Sequence, residues 1–144
     1  MMKASDILRS FIKQAEGYSA CAYKDSAGIL TIGYGHTKGV VRGMTITHNM
    51  AERFLDQDLL ASERYVTTLN VCKTQGQFDA LVDFCYNLGT GNLNRSTLLR
   101  MIRHGSTEAA IRNEFSKWVH AGGWILPGLV KRRQWEADRF FSNS

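Results

Sequence analysis

Two acids of this 144-residue chain, Glu16 and Asp25, stand nine residues apart, on either side of a predicted helix end and the turn that follows it. Paired carboxyls across a gap are what cleavage of a glycosidic bond needs. One is protonated and gives its hydrogen to the leaving oxygen; the other is ionised and activates water or supports an oxocarbenium-like transition state. Their surroundings must therefore differ. Glu16 is expected at a helix C-terminus, where the dipole disfavours ionisation, and after an apolar face, whose desolvation acts the same way. Asp25 opens Asp25-Ser26-Ala27-Gly28, a polar turn in which it is expected to stay charged. Thr31, on the strand after the turn, offers a hydroxyl to hold a water against Asp25. Among 13 acidic residues, this spacing alone is weak evidence.

The elements that must position these groups read as follows. Ile7, Leu8, Phe11, Ile12 and Ala15 share a helical face, with Ser5 as N-cap and Gly17 as the stop, which predicts a helix over 5–16. Residues 18–36 are rich in Tyr, Thr, Ile and Gly and predict two short antiparallel strands. In the second strand Leu30 and Ile32 point one way, and Thr31, Gly33 and Gly35 the other. That nearly bare face suits a ligand lying against the sheet, although the glycines equally fit bulges or bends. Thr47 caps a long helix over 47–70 whose inner stripe is Ala51, Phe54, Leu55, Ser62, Tyr65, Val66 and Leu69. Asp58 falls within that stripe and needs either a partner or a water-filled rim. Thr74-x-x-Gln77 opens a helix over 74–88, and further helices are expected at about 96–104, 107–118 and 127–141. The fold class is thus α+β, mostly α.

Composition narrows the function classes. Apolar residues make up 44% and charged residues 22%, ordinary for a globular chain able to bury a core without metals or disulfides. Cys21, Cys72 and Cys85 are odd in number and widely spaced, and the four histidines show no metal-ligand spacing, so no metal and no cofactor is expected. No signal peptide and no membrane-length apolar run is visible, which predicts folding in a reducing cytoplasm without stable membrane insertion. Net charge is +5: residues 1–72 carry 8 Lys/Arg against 7 Asp/Glu, and residues 73–144 carry 10 against 6. The basic second half suits a polyanionic partner or simply a solvated surface. No nucleic-acid recognition pattern is present, so no nucleic-acid partner is expected.

Residues 16–36 read E-G-Y-S-A-C-A-Y-K-D-S-A-G-I-L-T-I-G-Y-G-H. This block resembles the phage-type lysozymes (endolysins, glycoside hydrolase family 24). Q-F-D-A-L-V-D-F-C-Y-N-L-G at 77–89 looks like that family's central helix, and W-V-x-A-G-G-x3-P-G-L-V-x-R-R at 118–133 is similar to its C-terminal segment. The resemblance implies a lysozyme-like fold of two lobes over residues 1–144. A mixed lobe (about 12–60) and a helical lobe (about 70–144 plus the first helix) would be joined by the long interlobe helix. It implies a muramidase hydrolysing the β-1,4 bond between N-acetylmuramic acid and N-acetylglucosamine of peptidoglycan, with Glu16 as general acid and Asp25 and Thr31 positioning the water. It further implies a structural His36–Asp58 pair, and sugar contacts at Tyr86 and Asn87, with Thr37 a weaker one. Rival readings are a lytic transglycosylase on the same bond and a non-catalytic wall-binding module.

Such a monomer would be made in the host cytoplasm and act on glycan strands after release through a separate pore. Arg132 and Arg133 suit the wall's carboxylates, the last helix's own electrostatics, or a brace for the acid site. Trp118, Trp124 and Trp135 suit stacking on sugars, but at least two are expected in the core.

Overall fold

The computed structural model describes residues 2–142, so the ends of the expected 1–144 domain lie outside the described residues. Its order is α1 (Asp6–Glu16), β1 (Ser19–Lys24), β2 (Leu30–Gly33), α2 (His48–Leu69), α3 (Gln75–Leu88), α4 (Thr90–Asn94), α5 (Thr97–Arg103), α6 (Glu108–Ser116), β3 (His120–Ala121), β4 (Trp124–Ile125) and α7 (Pro127–Phe140). This is the mostly helical α+β architecture expected.

The helices begin where local chemistry says they should. Ser5, Thr47, Thr74, Ser96 and Thr107 each accept a hydrogen bond from the backbone N–H three residues on, satisfying a donor that has no partner within its helix. Gln77 does not return its bond to Thr74; its Oε1 accepts from Lys73 N at 2.7 Å.

Two apolar clusters form the interior. The larger gathers Leu8 and Ile12 of α1, Leu55 and Val66 of α2, and Phe78 and Phe84 of α3, with α5, α6 and α7 closing around them. Helix α3 is buried on nearly all sides, so it serves as the central post. The smaller cluster, Ile32, Ile46 and Ala51, fastens the β1–β2 hairpin to the start of α2.

Three expectations are corrected. Ile7 is 55% exposed, because α1 packs by Leu8 and Ile12 and the 100° step from Leu8 turns its neighbour to water. The inner stripe of α2 also includes Leu59 and Glu63. The strands alternate only in part: β2 pairs Tyr23 with Thr31 and Lys24 with Leu30, but the register shifts between Ser19 and Tyr23, and Gly33 has φ +64°. A five-residue α4 and the small β3–β4 hairpin go beyond the predicted elements.

Candidate active site

Glu16 is the last residue of α1, and Gly17 closes the helix by donating its N–H to the Lys13 carbonyl at 2.9 Å. The Glu16 side chain is one-quarter exposed and lies beside a guanidinium, with Oε1 3.6 Å from Arg132 Nη1. A positive charge thus stands beside the acid, which fits one of the readings of Arg132 and Arg133, a brace for the acid site. Of the two expected causes for the bare positions of β2 and its turn, the backbone bend is present, with φ +64° at Gly33 and +86° at Gly35, and close packing adds to it. A Cβ on Gly33 would meet Ala51 and Ile46 at 3.3 Å, so that position is bare to let α2 approach. A Cβ on Gly35 would meet the Glu16 carboxyl carbon at 3.2 Å, so that position is bare to admit the acid itself. Gly35 also has φ +86°, which only glycine adopts without strain. Gly35→Ala is expected to lower stability by about 1–2 kcal/mol from backbone strain and to displace the Glu16 carboxyl. Wall-lysis rate and urea midpoint, measured together, separate the two effects.

Asp25 sits at the hairpin turn, and its Oδ1 accepts from the backbone N–H groups of Ala27 and Ile29, both at 2.9 Å. These bonds hold the carboxylate in one orientation. Thr31 is 4% exposed, and its hydroxyl donates to the Ile29 carbonyl at 2.9 Å. With its hydrogen committed, Thr31 Oγ1 is left as an acceptor. Asp25 and Thr31 are thus tied through the same residue, Ile29. Among the described residues, no hydrogen bond or ion pair links either of them to Glu16.

His36 is buried, stacks on Phe54 at 4.2 Å, and places Nδ1 2.8 Å from Asp58 Oδ2. Beyond it opens a cleft of about 330 Å³ whose walls include Gly35, Thr37, Asp58, Ser62, Tyr86 and Thr90. Gly35 belongs both to this wall and to the seat of Glu16. Thr37 is exposed at the cleft. Tyr86 donates its hydroxyl to the Tyr34 carbonyl at 3.2 Å; burial, and next the charge of Glu16, push that hydroxyl above the usual tyrosine range. Asn87 does not line the cleft: its Oδ1 accepts from Arg133 Nη2 at 2.7 Å. A larger cavity, about 610 Å³, opens between Phe11, Ala15, Leu126 and Arg132, but no carboxylate lines it.

Arg132 and Arg133 are 6% and 1% exposed, so the reading of them as wall-contacting cations is overturned. They are internal, pairing with Asp83 and Glu136. Sequence reasoning passed over these two acids, although a signal was present. Asp79 and Asp83 recur four apart on the otherwise apolar α3, and Arg132, Glu136 and Arg139 recur at helical spacing on α7. Trp135 stacks on Phe11 at 3.9 Å and Trp118 meets Phe84 edge-on, while Trp124 is 76% exposed. Among the described residues, no group of three or more His, Cys, Asp or Glu side chains is arranged to hold a metal ion, and no helix is long and apolar enough to cross a membrane.

Residues 13–136 match the family model described as phage lysozyme. The endolysin of Bacillus phage B103 is 42% identical over 137 residues, covering 92% of this chain and 52% of the relative; the chain thus spans about half the length of that endolysin. The endolysin of Salmonella phage P22 is 37% identical over 148 residues, covering 99% of this chain and all of the relative. The solved muramidase domain of SpmX from Asticaccaulis excentricus is 32% identical with a TM-score of 0.88, covering 99% of both chains.

Proposed function

The chain belongs to the phage lysozyme family, and from that membership we propose that it is a muramidase that hydrolyses the β-1,4 bond between N-acetylmuramic acid and N-acetylglucosamine in peptidoglycan. The observation that carries this reading is the seating of Glu16. Its carboxyl lies against the side-chain-free Gly35, and Gly35 in turn forms part of the wall of the cleft that Thr37 and Tyr86 line. A carboxyl so placed reaches a chain of sugars crossing the cleft, and a Cβ at position 35 would crowd it.

In this mechanism Glu16 gives its proton to the leaving sugar oxygen. Asp25, its Oδ1 fixed by two backbone N–H groups, and Thr31, its hydroxyl hydrogen already donated, accept hydrogens from the attacking water and aim it. The two carboxyl groups would flank a water and invert the anomeric centre, which calls for a separation of about 6.5–9.5 Å rather than about 5–5.5 Å. His36 and Asp58 brace the loop between Gly35 and α2 and take no part in proton transfer. Thr37 and Tyr86 contact sugar; Asn87 acts through Arg133.

Peptidoglycan glycan strands are the partner, bound by a monomer, and no nucleic acid is engaged. The chain is made in the host cytoplasm and meets the wall after release through a separate pore, a reading that the endolysin names of its relatives support. Purified protein is expected to clear suspensions of bare cell walls. Failure to do so across pH and salt would leave a wall-binding module without catalysis.

A further inference from the structure

Behind Arg132 lies a run of buried charge that cleavage chemistry as described does not use. Asp83 holds Arg132 through two hydrogen bonds, Nε to Oδ2 at 3.0 Å and Nη2 to Oδ1 at 2.8 Å, while Nη1 of the same guanidinium reaches toward Glu16. Asp83 also accepts a hydrogen bond from the carboxyl of Glu136. Glu136 Oε2 in turn accepts from Arg133 Nη2 at 2.8 Å. Arg133 Nε stands 2.8 Å from Glu136 Oε1 but out of line, so both atoms are buried without a hydrogen-bond partner. Asp83 and Glu136 are 0% exposed.

Two touching carboxyls in such a place do not both ionise; one proton between them removes the repulsion. Burial, then the bond to Asp83, raises the Glu136 carboxyl well above the usual range. Asp83 is held below its usual range in spite of burial, because Glu136 and Arg132 both donate to it. The charge count is then two guanidiniums, one carboxylate and one neutral acid. One positive charge is left over on the cluster as a whole, and Arg132 is the member of it that stands beside Glu16.

We propose that Asp83 and Glu136, sharing one proton, are positioning residues for Glu16: they fix Arg132 beside the acid and limit the charge it faces to one. This rests on the muramidase reading. The other titratable groups facing the cluster are Cys85 and Tyr86 of α3 and, through Tyr86, Asp58 of α2. Burial, then the neighbouring carboxyls of Glu136 and Asp83, push the Cys85 thiol up to about 12, and Tyr86 is likewise raised, so both stay neutral near pH 7.

The test compares pH profiles of kcat and KM on purified peptidoglycan for wild type, Glu136→Gln and the double variant Asp83→Asn with Glu136→Gln. The conservative Glu136→Gln still offers Asp83 a hydrogen without charge, and its alkaline limb is expected to stay in place. The double variant leaves both guanidiniums of the cluster without a carboxylate behind them, with Arg132 still beside Glu16, which favours the ionised acid. Its alkaline limb is expected to move to lower pH by about one unit, about tenfold less donor form at a given pH on that limb, with KM little changed. Melting supplies a readout independent of activity. Because Glu136 is raised in the fold, the folded chain binds more protons than the unfolded one above about pH 4.3. Wild type is therefore expected to lose stability relative to Glu136→Gln as pH rises from there.

A limb shifted by Glu136→Gln alone, an unshifted limb in the double variant, or identical melting slopes would each overturn the proposal. If the double variant does not fold, Glu136→Gln decides through its limb and its melting slope. Wild type that releases no wall fragments would sink the muramidase reading instead, and the melting comparison would still judge the shared proton.

Discussion

Glu16→Gln is expected to abolish wall lysis, with a loss of about 10²–10⁴-fold in rate, the usual contribution of a positioned general acid. The amide has the shape of the acid but no proton to give at working pH. The fold is expected to survive, for two reasons visible at the site. The side chain is one-quarter exposed, so nothing deeply buried is orphaned. Arg132 also remains anchored by its two bonds to Asp83. Turbidity assays paired with urea unfolding check both halves. Activity equal to wild type would remove Glu16 from the mechanism.

The second large effect falls on stability. Asp79 is 0% exposed and joins three elements: it accepts from Ser5 N at 3.1 Å and from the Ser5 hydroxyl at the start of α1, from Gln75 Nε2 at 2.8 Å within α3, and from Arg139 Nε and Nη2 of α7 at 3.0 and 2.8 Å. Arg139→Met keeps much of the arginine's apolar stem but leaves that carboxylate buried without its countercharge. Breaking a buried pair from one side costs about 3–5 kcal/mol, a large share of the roughly 5–15 kcal/mol that stabilises a domain. The urea midpoint is expected to fall accordingly with an unchanged slope. An unfolding free energy within about 0.5 kcal/mol of wild type, the range of ordinary surface changes, would mean that Asp79 is satisfied without Arg139.

What the sequence could and could not disclose follows from the range of each interaction. Helix starts were legible at Ser5, Thr47, Thr74, Ser96 and Thr107 because a cap is a bond across three residues. Helix α4 was not, being five residues long without a side-chain cap. At the site, type and spacing alone were weak evidence, and Glu16, Asp25 and Thr31 stood out through the family resemblance of the block at 16–36. The reason for the bare Gly35 did not, since the group it admits lies 19 positions away in the chain. Arg132 reaches Asp83 across 49 positions and Arg139 reaches Asp79 across 60. No local pattern says that such charges meet inside, and so the readings of Arg132 and Arg133 as wall contacts, helix electrostatics or a brace for the acid site stayed open in the sequence.

Chemical analysis of the ends made when the purified chain digests purified peptidoglycan tests the central claim most directly. Hydrolysis with Glu16 as donor, and a water held by Asp25 and Thr31, predicts reducing N-acetylmuramic acid ends from wild type and none above background from Glu16→Gln. Anhydro-sugar ends would contradict it, because the sugar's own hydroxyl would then have displaced the leaving group and no water would have been held.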